Sequence, residues 1–257
     1  MNFLKFLGTA GARFVMTKQL RASGGIWISI DGTNLHIDPG PGALVKALSS
    51  KPKLDPSTLS GLILTHKHLD HSNDVNVMLE AMTEGGFKKK GVLFAPADAL
   101  DSDQVVFQYT RNFVEKIEIL KAGNTYQVGE ITFTTPVRHK HPVETYGLVF
   151  NYKNKKICFI VDTLYFEELA DYYRGDLVVI YCMRMASPEK YEVEHLNLED
   201  TRMLIQKIKP KVAVLTHFGM SMLKAKPWEV AEELGRELKT KVLAASDGMR
   251  LDLDEVL

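Results

Sequence analysis

Four apolar runs in this chain each lead into histidine or aspartate. Leu62-Ile63-Leu64 leads through Thr65 to His66, ITFTTPV (131–137) leads to His139 and His141, ICFIV (157–161) leads to Asp162, and VAVL (212–215) leads through Thr216 to His217. Runs of this length and composition read as buried strands. Strand ends along one edge of a sheet are where distant parts of a chain gather functional side chains. A chain with this pattern has to fold so that its strand ends meet. The first ending is the densest, because THKHLDH (65–71) holds His66, His68, Asp70 and His71. Neutral imidazole and carboxylate are donors that suit zinc, manganese or iron. In extended backbone His66 and His68 point the same way.

Strand and helix signals alternate around these runs. WISI (27–30) and NLHID (34–38) flank a hairpin-like turn at Asp31-Gly32-Thr33. PGPGALVKAL starts a short helix, and SNDVNVMLEAM reads as a helix with Ser72 or Asn73 at its N-cap. GVLFAP, IEIL, ITFTTPV, YGLVFNY, KICFIVD, DLVVIYC and VAVLTH read as strands. NLEDTRMLIQKI reads as a helix capped by Asn197 with Asp200 three residues on, PWEVAEELGREL as a helix opened by Pro227, and KVLAASDGMRLDL as a final strand pair. The order predicts an α+β architecture, a four-layer αββα sandwich of two mixed sheets flanked by helices. No linker, low-complexity tract or short repeat interrupts residues 1–257, which read as a single domain.

Charge and cysteine usage exclude some classes. Lys plus Arg is 32 and Asp plus Glu is 32, a balance that argues against nonspecific coating of nucleic-acid backbones. Cys158 and Cys182 both lie in apolar runs and no Cys-x-x-Cys pair exists. That pattern predicts core thiols in a reducing compartment, without a disulfide framework or a sulfur-bound zinc. The N-terminal apolar stretch is too short for a signal peptide, and no segment approaches the length of a membrane span. The expectation is a cytoplasmic chain with no membrane partner, and the sequence leaves homodimerisation open.

HKHLDH (66–71) matches a His-x-His-x-Asp-His signature and in this resembles the metallo-β-lactamase superfamily. HIDPGPG (36–42) resembles the strand and turn that precede the signature there. A histidine before a glycine (His141 to Gly147), an aspartate followed by threonine (Asp162-Thr163) and a late histidine (His217) are similar to that family's remaining landmarks. The resemblance implies two divalent ions, zinc first, with manganese or iron as alternatives. It places His66, His68 and His141 on one ion and Asp70, His71 and His217 on the other, with Asp162 between them and Asp38 orienting a ligand from behind. Two ions about 3.5–4 Å apart would generate hydroxide at neutral pH and stabilise an in-line displacement. His139 stays open as an alternative to His141. His36 and Cys182 read as structural.

The superfamily fold alone does not set the chemistry. His195, in EHLNLEDT before His217, resembles the extra histidine of a phosphodiesterase branch that includes ribonuclease Z and a cyclic-phosphate phosphodiesterase. That likeness implies a role in protonating the leaving oxygen, which histidine suits near neutral pH, and makes Asp70 and His195 the candidate catalytic residues. RHKHPVETYG stands where glyoxalase II carries Gly-His-Thr-x-Gly, and only 21 residues run from His141 to Asp162, too few for the long tRNA arm of ribonuclease Z. The cysteine-rich zinc site of the small-substrate phosphodiesterase is also missing. Arg21 and Arg184, together with Arg13, are candidates for phosphate contact. The implied activity is hydrolysis of small phosphodiesters or short nucleotides by a hydroxide held between two metals. A thioester or lactone hydrolase at the same metals and a ribonuclease Z-like cleavage of RNA are the rival readings.

Overall fold

The computed structural model describes residues 1–101, 103–187 and 194–257. The first sheet uses β1 (Phe3–Gly8), β2 (Ser23–Ile30), β3 (Thr33–Ile37), β4 (Gly61–Ile63), β5 (Val92–Ala95) and β6 (Lys116–Ile119). The second uses β7 (Asn124–Val128), β8 (Ile131–Thr135), β9 (Leu148–Tyr152), β10 (Lys155–Ile160), β11 (Leu177–Arg184), β12 (Leu196–Asn197), β13 (Val212–Thr216) and β14 (Lys241–Ala244). The last strand, β15 (Arg250–Asp252), returns to the first sheet, whose order is β15-β1-β2-β3-β4-β5-β6. The second is ordered β14-β13-β11-β10-β9-β8-β7, with β12 against β11. Each sheet is antiparallel at one side and parallel at the other: β3 to β6 run parallel, as do β10, β11, β13 and β14. Parallel strands covered on both faces need continuous apolar runs. GLI, VAVLT and the buried ICFI of β10 supply them.

Three apolar clusters fill the three gaps of a four-layer sandwich. Leu4, Ile28, Phe133, Phe150 and Val214 belong to the cluster between the sheets. Trp27 and Leu62 pack with Ala43 and Ala47 of the helix Ala43–Ser49 and with Met78 and Leu79 of the helix Val75–Met82 outside the first sheet. Ile180 and Leu215 pack with Leu204 of the helix Leu198–Ile208 and Leu234 of the helix Pro227–Leu238 outside the second. The αββα architecture expected from the order of strand and helix signals is the one found.

Local chemistry explains several elements. The β2–β3 hairpin turns on Asp31 and Gly32, both at positive φ (47° and 83°), the backbone a two-residue hairpin loop requires. Asn197 and Asp200 form the reciprocal capping box expected of them, each side chain accepting the other's backbone N–H at 3.0 Å.

Other expectations are corrected. The helix after the histidine motif begins at Val75 with Asp74 as N-cap, not at Ser72 or Asn73, because Leu69–Ser72 already forms a separate helical turn. KVLAASDGMRLDL is not a strand pair: β14 lies in the second sheet and β15 in the first, so this segment ties the two sheets together. ITFTTPV stops as a strand at Thr135, so His139 and His141 lie beyond the end of β8, in a loop closed by the bridge between Arg138 and Tyr146.

Cys158 and Cys182 are buried free thiols, and burial pushes both up to about 12. Thiolate is the reactive form. Native protein at about pH 8 is therefore expected to resist iodoacetamide for hours, both thiols reacting once guanidinium unfolds it. Rapid alkylation of either thiol in the native state, read by mass spectrometry, would contradict this.

Candidate metal centre

The parallel strands bring their C-terminal ends to one edge, and the donor residues lie just beyond them. His66 follows β4, Asp162 follows β10 and His217 follows β13. The turn Leu69–Ser72 swings Asp70 and His71 back toward the same edge. His66, His68 and His141 present donor atoms within 4.8 Å of one another, and so do Asp70, His71 and His217. The nitrogens converge closely: His68 Nδ1 is 3.0 Å from His141 Nε2, and His71 Nε2 is 3.1 Å from His217 Nε2. Asp162 sits between the two triads, its Oδ2 3.5 Å from His66 Nε2 and 3.4 Å from His71 Nε2, its Oδ1 3.3 Å from His217 Nδ1.

Hydrogen bonds behind the cluster fix the rings. Asp38 Oδ2 accepts from His71 Nδ1 at 3.0 Å and from the Thr65 hydroxyl at 2.8 Å, while Oδ1 accepts from the Thr65 backbone N–H at 2.7 Å. His141 Nδ1 donates to the Glu194 carbonyl at 2.9 Å, and Thr65 Oγ1 lies 3.1 Å from His66 Nδ1. Each contact occupies one ring nitrogen and leaves the other facing the cluster, the arrangement that metal-binding histidines use.

Burial and charge together set the protonation pattern. Burial pushes His66 well below its ordinary value, lowers His68, and lowers His141 to about 4, which leaves these three as neutral imidazoles. Burial opposes ionisation of Asp70 and Asp162. Even so, the charge on His71 holds Asp70 well below the usual carboxylate range, and His217 and His195 do the same for Asp162. Burial also opposes charge on His71, yet Asp70 and Asp38 raise it well above the usual imidazole value. Three neutral imidazoles beside carboxylates that demand positive charge form a donor set fit for divalent cations. His66 Nε2, Asp162 Oδ1 and His217 Nδ1 are buried without hydrogen-bond partners, and a metal would satisfy atoms placed this way. The described residues therefore fit two ions, His66, His68 and His141 at one and Asp70, His71 and His217 at the other, with Asp162 in reach of both.

The remaining candidates fall into place around this cluster. His195 Nε2 lies 3.2 Å from Asp162 Oδ2, and its ring stacks on His217 with 5.8 Å between centroids. His139 faces away: its Nδ1 donates to the Asp162 carbonyl at 3.2 Å, and Nε2 is 2.7 Å from the Tyr173 hydroxyl. His36 donates from Nε2 to the Gly24 carbonyl at 2.7 Å, a structural contact. Arg13 and Arg184 line a cleft of about 1150 Å³ that opens on His68, His141 and His195. Arg21 is not among its lining, and its guanidinium reaches Thr9 Oγ1 at 3.4 Å.

Sequence reasoning missed Thr65, Tyr181 and the helix Ala12–Thr17. The signal for Thr65 is its place as the one hydroxyl between the apolar run Leu62-Ile63-Leu64 and His66. Tyr181 stacks on His217 with ring centroids 5.0 Å apart, and nothing in VVIYC distinguishes it from core.

A model of the beta-lactamase superfamily domain matches residues 33–218, so the chain belongs to the beta-lactamase superfamily. A protein of Methanocaldococcus jannaschii is 27% identical over 96% of this chain and 94% of its own length. A metal-dependent hydrolase of Methanopyrus kandleri is 24% identical over 84% of this chain and 91% of its own. Among solved structures, the metallo-beta-lactamase fold protein YhfI from Bacillus subtilis superposes with a TM-score of 0.80 at 18% identity, covering 97% of this chain and 98% of that one. A diphosphatase from the PhnP family gives 0.72 at 20% identity, covering 98% of each chain. The short form of human tRNase Z gives 0.67 at 16% identity, covering 98% of this chain and 99% of its own. These likenesses establish the metallo-β-lactamase fold. Among the described residues no helix is long and apolar enough to cross a membrane.

Proposed function

We propose that this member of the superfamily, a metal-dependent hydrolase, cleaves small phosphodiesters or short nucleotides. The observation that carries the reading is His195, an imidazole 3.2 Å from Asp162 that also faces the open cleft. Ligands alone would serve any hydrolysis. A further histidine beside them supplies a proton donor where a leaving group departs. A diphosphatase and a tRNase share this fold, and so does an isothiocyanate hydrolase, so the fold by itself does not choose among them.

When bound, a pair of divalent ions, zinc in the first instance, would acidify a water and neutralise charge on phosphoryl oxygens. The chain's residues do the rest. Asp38 holds His71 in one ring orientation, and the Glu194 carbonyl does so for His141. Asp70 and Asp162 concentrate negative charge where the cations sit, and Arg13 and Arg184 steer an anionic ester into the cleft. His195, whose Nε2 lies 3.2 Å from Asp162 Oδ2, is positioned to give a proton to the departing oxygen.

The test is turnover of bis-p-nitrophenyl phosphate, by metal-free protein and after loading with zinc or manganese. Metal-dependent turnover that disappears in His68→Ala is expected. A proton matters for an alkyl leaving group and little for p-nitrophenolate. His195→Ala should therefore slow cleavage of a nucleoside 2′,3′-cyclic phosphate roughly 10²-fold while retaining both metals, and slow the nitrophenyl ester far less. No turnover of any phosphodiester with two ions bound per chain would sink the proposal in favour of a thioester or lactone.

A further inference from the structure

The cleft beside the donor cluster is chemically two-sided. Among the described residues its arginines are Arg13 and Arg184, and its carboxylates are Asp70 and Asp162 of the donor cluster and Glu194. Its apolar lining includes Phe14 from the helix Ala12–Thr17, Leu69 from the turn inside the histidine motif, Met183 and Met220. Phe14 is 68% exposed and Leu69 is 61% exposed. Single exposed apolar residues are ordinary. Apolar side chains that share one concave lining with a few charged groups are instead what a small-molecule site looks like.

The charge count limits the ligand. Among the described residues the cleft offers two arginines, too few to neutralise the many phosphates of a polynucleotide, whose affinity grows with each one neutralised. They suit a ligand with one phosphate, whose charge is shared between the metals and the arginines. The apolar lining then needs an apolar portion on the same molecule.

We propose that the substrate carries a planar apolar or aromatic group, a nucleobase being the prime chemistry, seated against Phe14 and Leu69 while its single phosphate reaches the donor cluster past Arg13 and Arg184. This rests on the phosphodiesterase reading for the anionic half of the ligand. Phe14 and Leu69 are thereby specificity-determining positions. An aromatic ring offset on Phe14 gains area burial and a favourable ring contact, while Met183 and Met220 adapt to the shape of the group.

The test is calorimetric titration of the metal-loaded protein with phenyl phosphate and methyl phosphate, which need not be turned over. The wild type is expected to bind phenyl phosphate roughly tenfold more tightly than methyl phosphate. That ratio should fall toward one in Phe14→Ala and in Leu69→Ala, both exposed positions whose truncation leaves the core intact. Equal affinities in the wild type, or a ratio unchanged in both variants, would overturn the proposal. So would binding of a thymidylate decamer roughly a thousandfold tighter than thymidine 5′-monophosphate, far above the tenfold that ten repeated units supply statistically, since that would mean the cleft reads a polyanion. If the phenyl preference holds and no phosphodiester is turned over, the cleft assignment stands and the phosphodiesterase reading falls.

Discussion

Asp162→Asn is expected to release metal from both sides of the cluster and to abolish turnover. Asp162 is 2% exposed, and its carboxylate faces four imidazoles: His66, His71 and His195 through Oδ2 and His217 through Oδ1. Asparagine keeps the size and removes the charge. It also turns one oxygen into an N–H donor aimed at rings that must stay free to bind metal. Removing one partner from a buried charged set costs about 3–5 kcal/mol, which corresponds to roughly 10²–10⁴ in affinity. Metal content should fall below one ion per chain at micromolar free zinc, and turnover should drop on the order of 10³-fold. Elemental analysis beside circular dichroism checks this, the spectrum showing that the chain is still folded. Two ions retained with turnover within tenfold of wild type would remove Asp162 from the position between the triads.

The part of the candidate cluster that follows strand ends is legible in the sequence. An apolar run that stops at a histidine reports both the strand and the place where the strand leaves the sheet, so His66, Asp162 and His217 announced themselves. The less legible parts depend on contacts across the fold. His139 and His141 follow the same strand two residues apart, and in the sequence only the six-residue step to Gly147 favours His141. What separates them is that the Tyr173 hydroxyl occupies His139 Nε2 while His141 Nε2 meets His68. The apolar wall of the cleft was hidden for a different reason: TAGARFVMT carries a glycine at the helix entry and a short apolar stretch that reads as neither strand nor long helix. Strand β1 is hard to read in the sequence because FLKFLG, buried at all six positions, lacks the alternation of a half-exposed strand. The last segment, with its two strands in different sheets, could not be read locally because pairing partners are set by the whole topology.

Asp38→Ala is expected to damage stability and metal binding together, although Asp38 is in neither ligand triad. Its carboxylate is 2% exposed and holds three donors: the Thr65 N–H, the Thr65 hydroxyl and His71 Nδ1. Alanine leaves a buried backbone N–H and an imidazole N–H without acceptors, at about 1–3 kcal/mol each. Asp38 also sits at φ 53°, in the left-handed region that aspartate tolerates better than alanine. The sum is roughly 3–5 kcal/mol, or a melting point lower by about 10 °C in a chain of this size. Losing the group that orients His71 should weaken the ion held by Asp70, His71 and His217 by about 10–100-fold. The ion held by His66, His68 and His141 should weaken less, since Asp38 reaches His66 only through Thr65. Thermal melts of metal-free and zinc-loaded protein, with zinc titrations against a chelator of known affinity, separate the two effects. An unchanged metal-free melting point with both affinities within twofold of wild type would mean that the Thr65 backbone positions the motif without the carboxylate. A lower melting point with both affinities equally reduced would mean that Asp38 supports the whole edge rather than one ring.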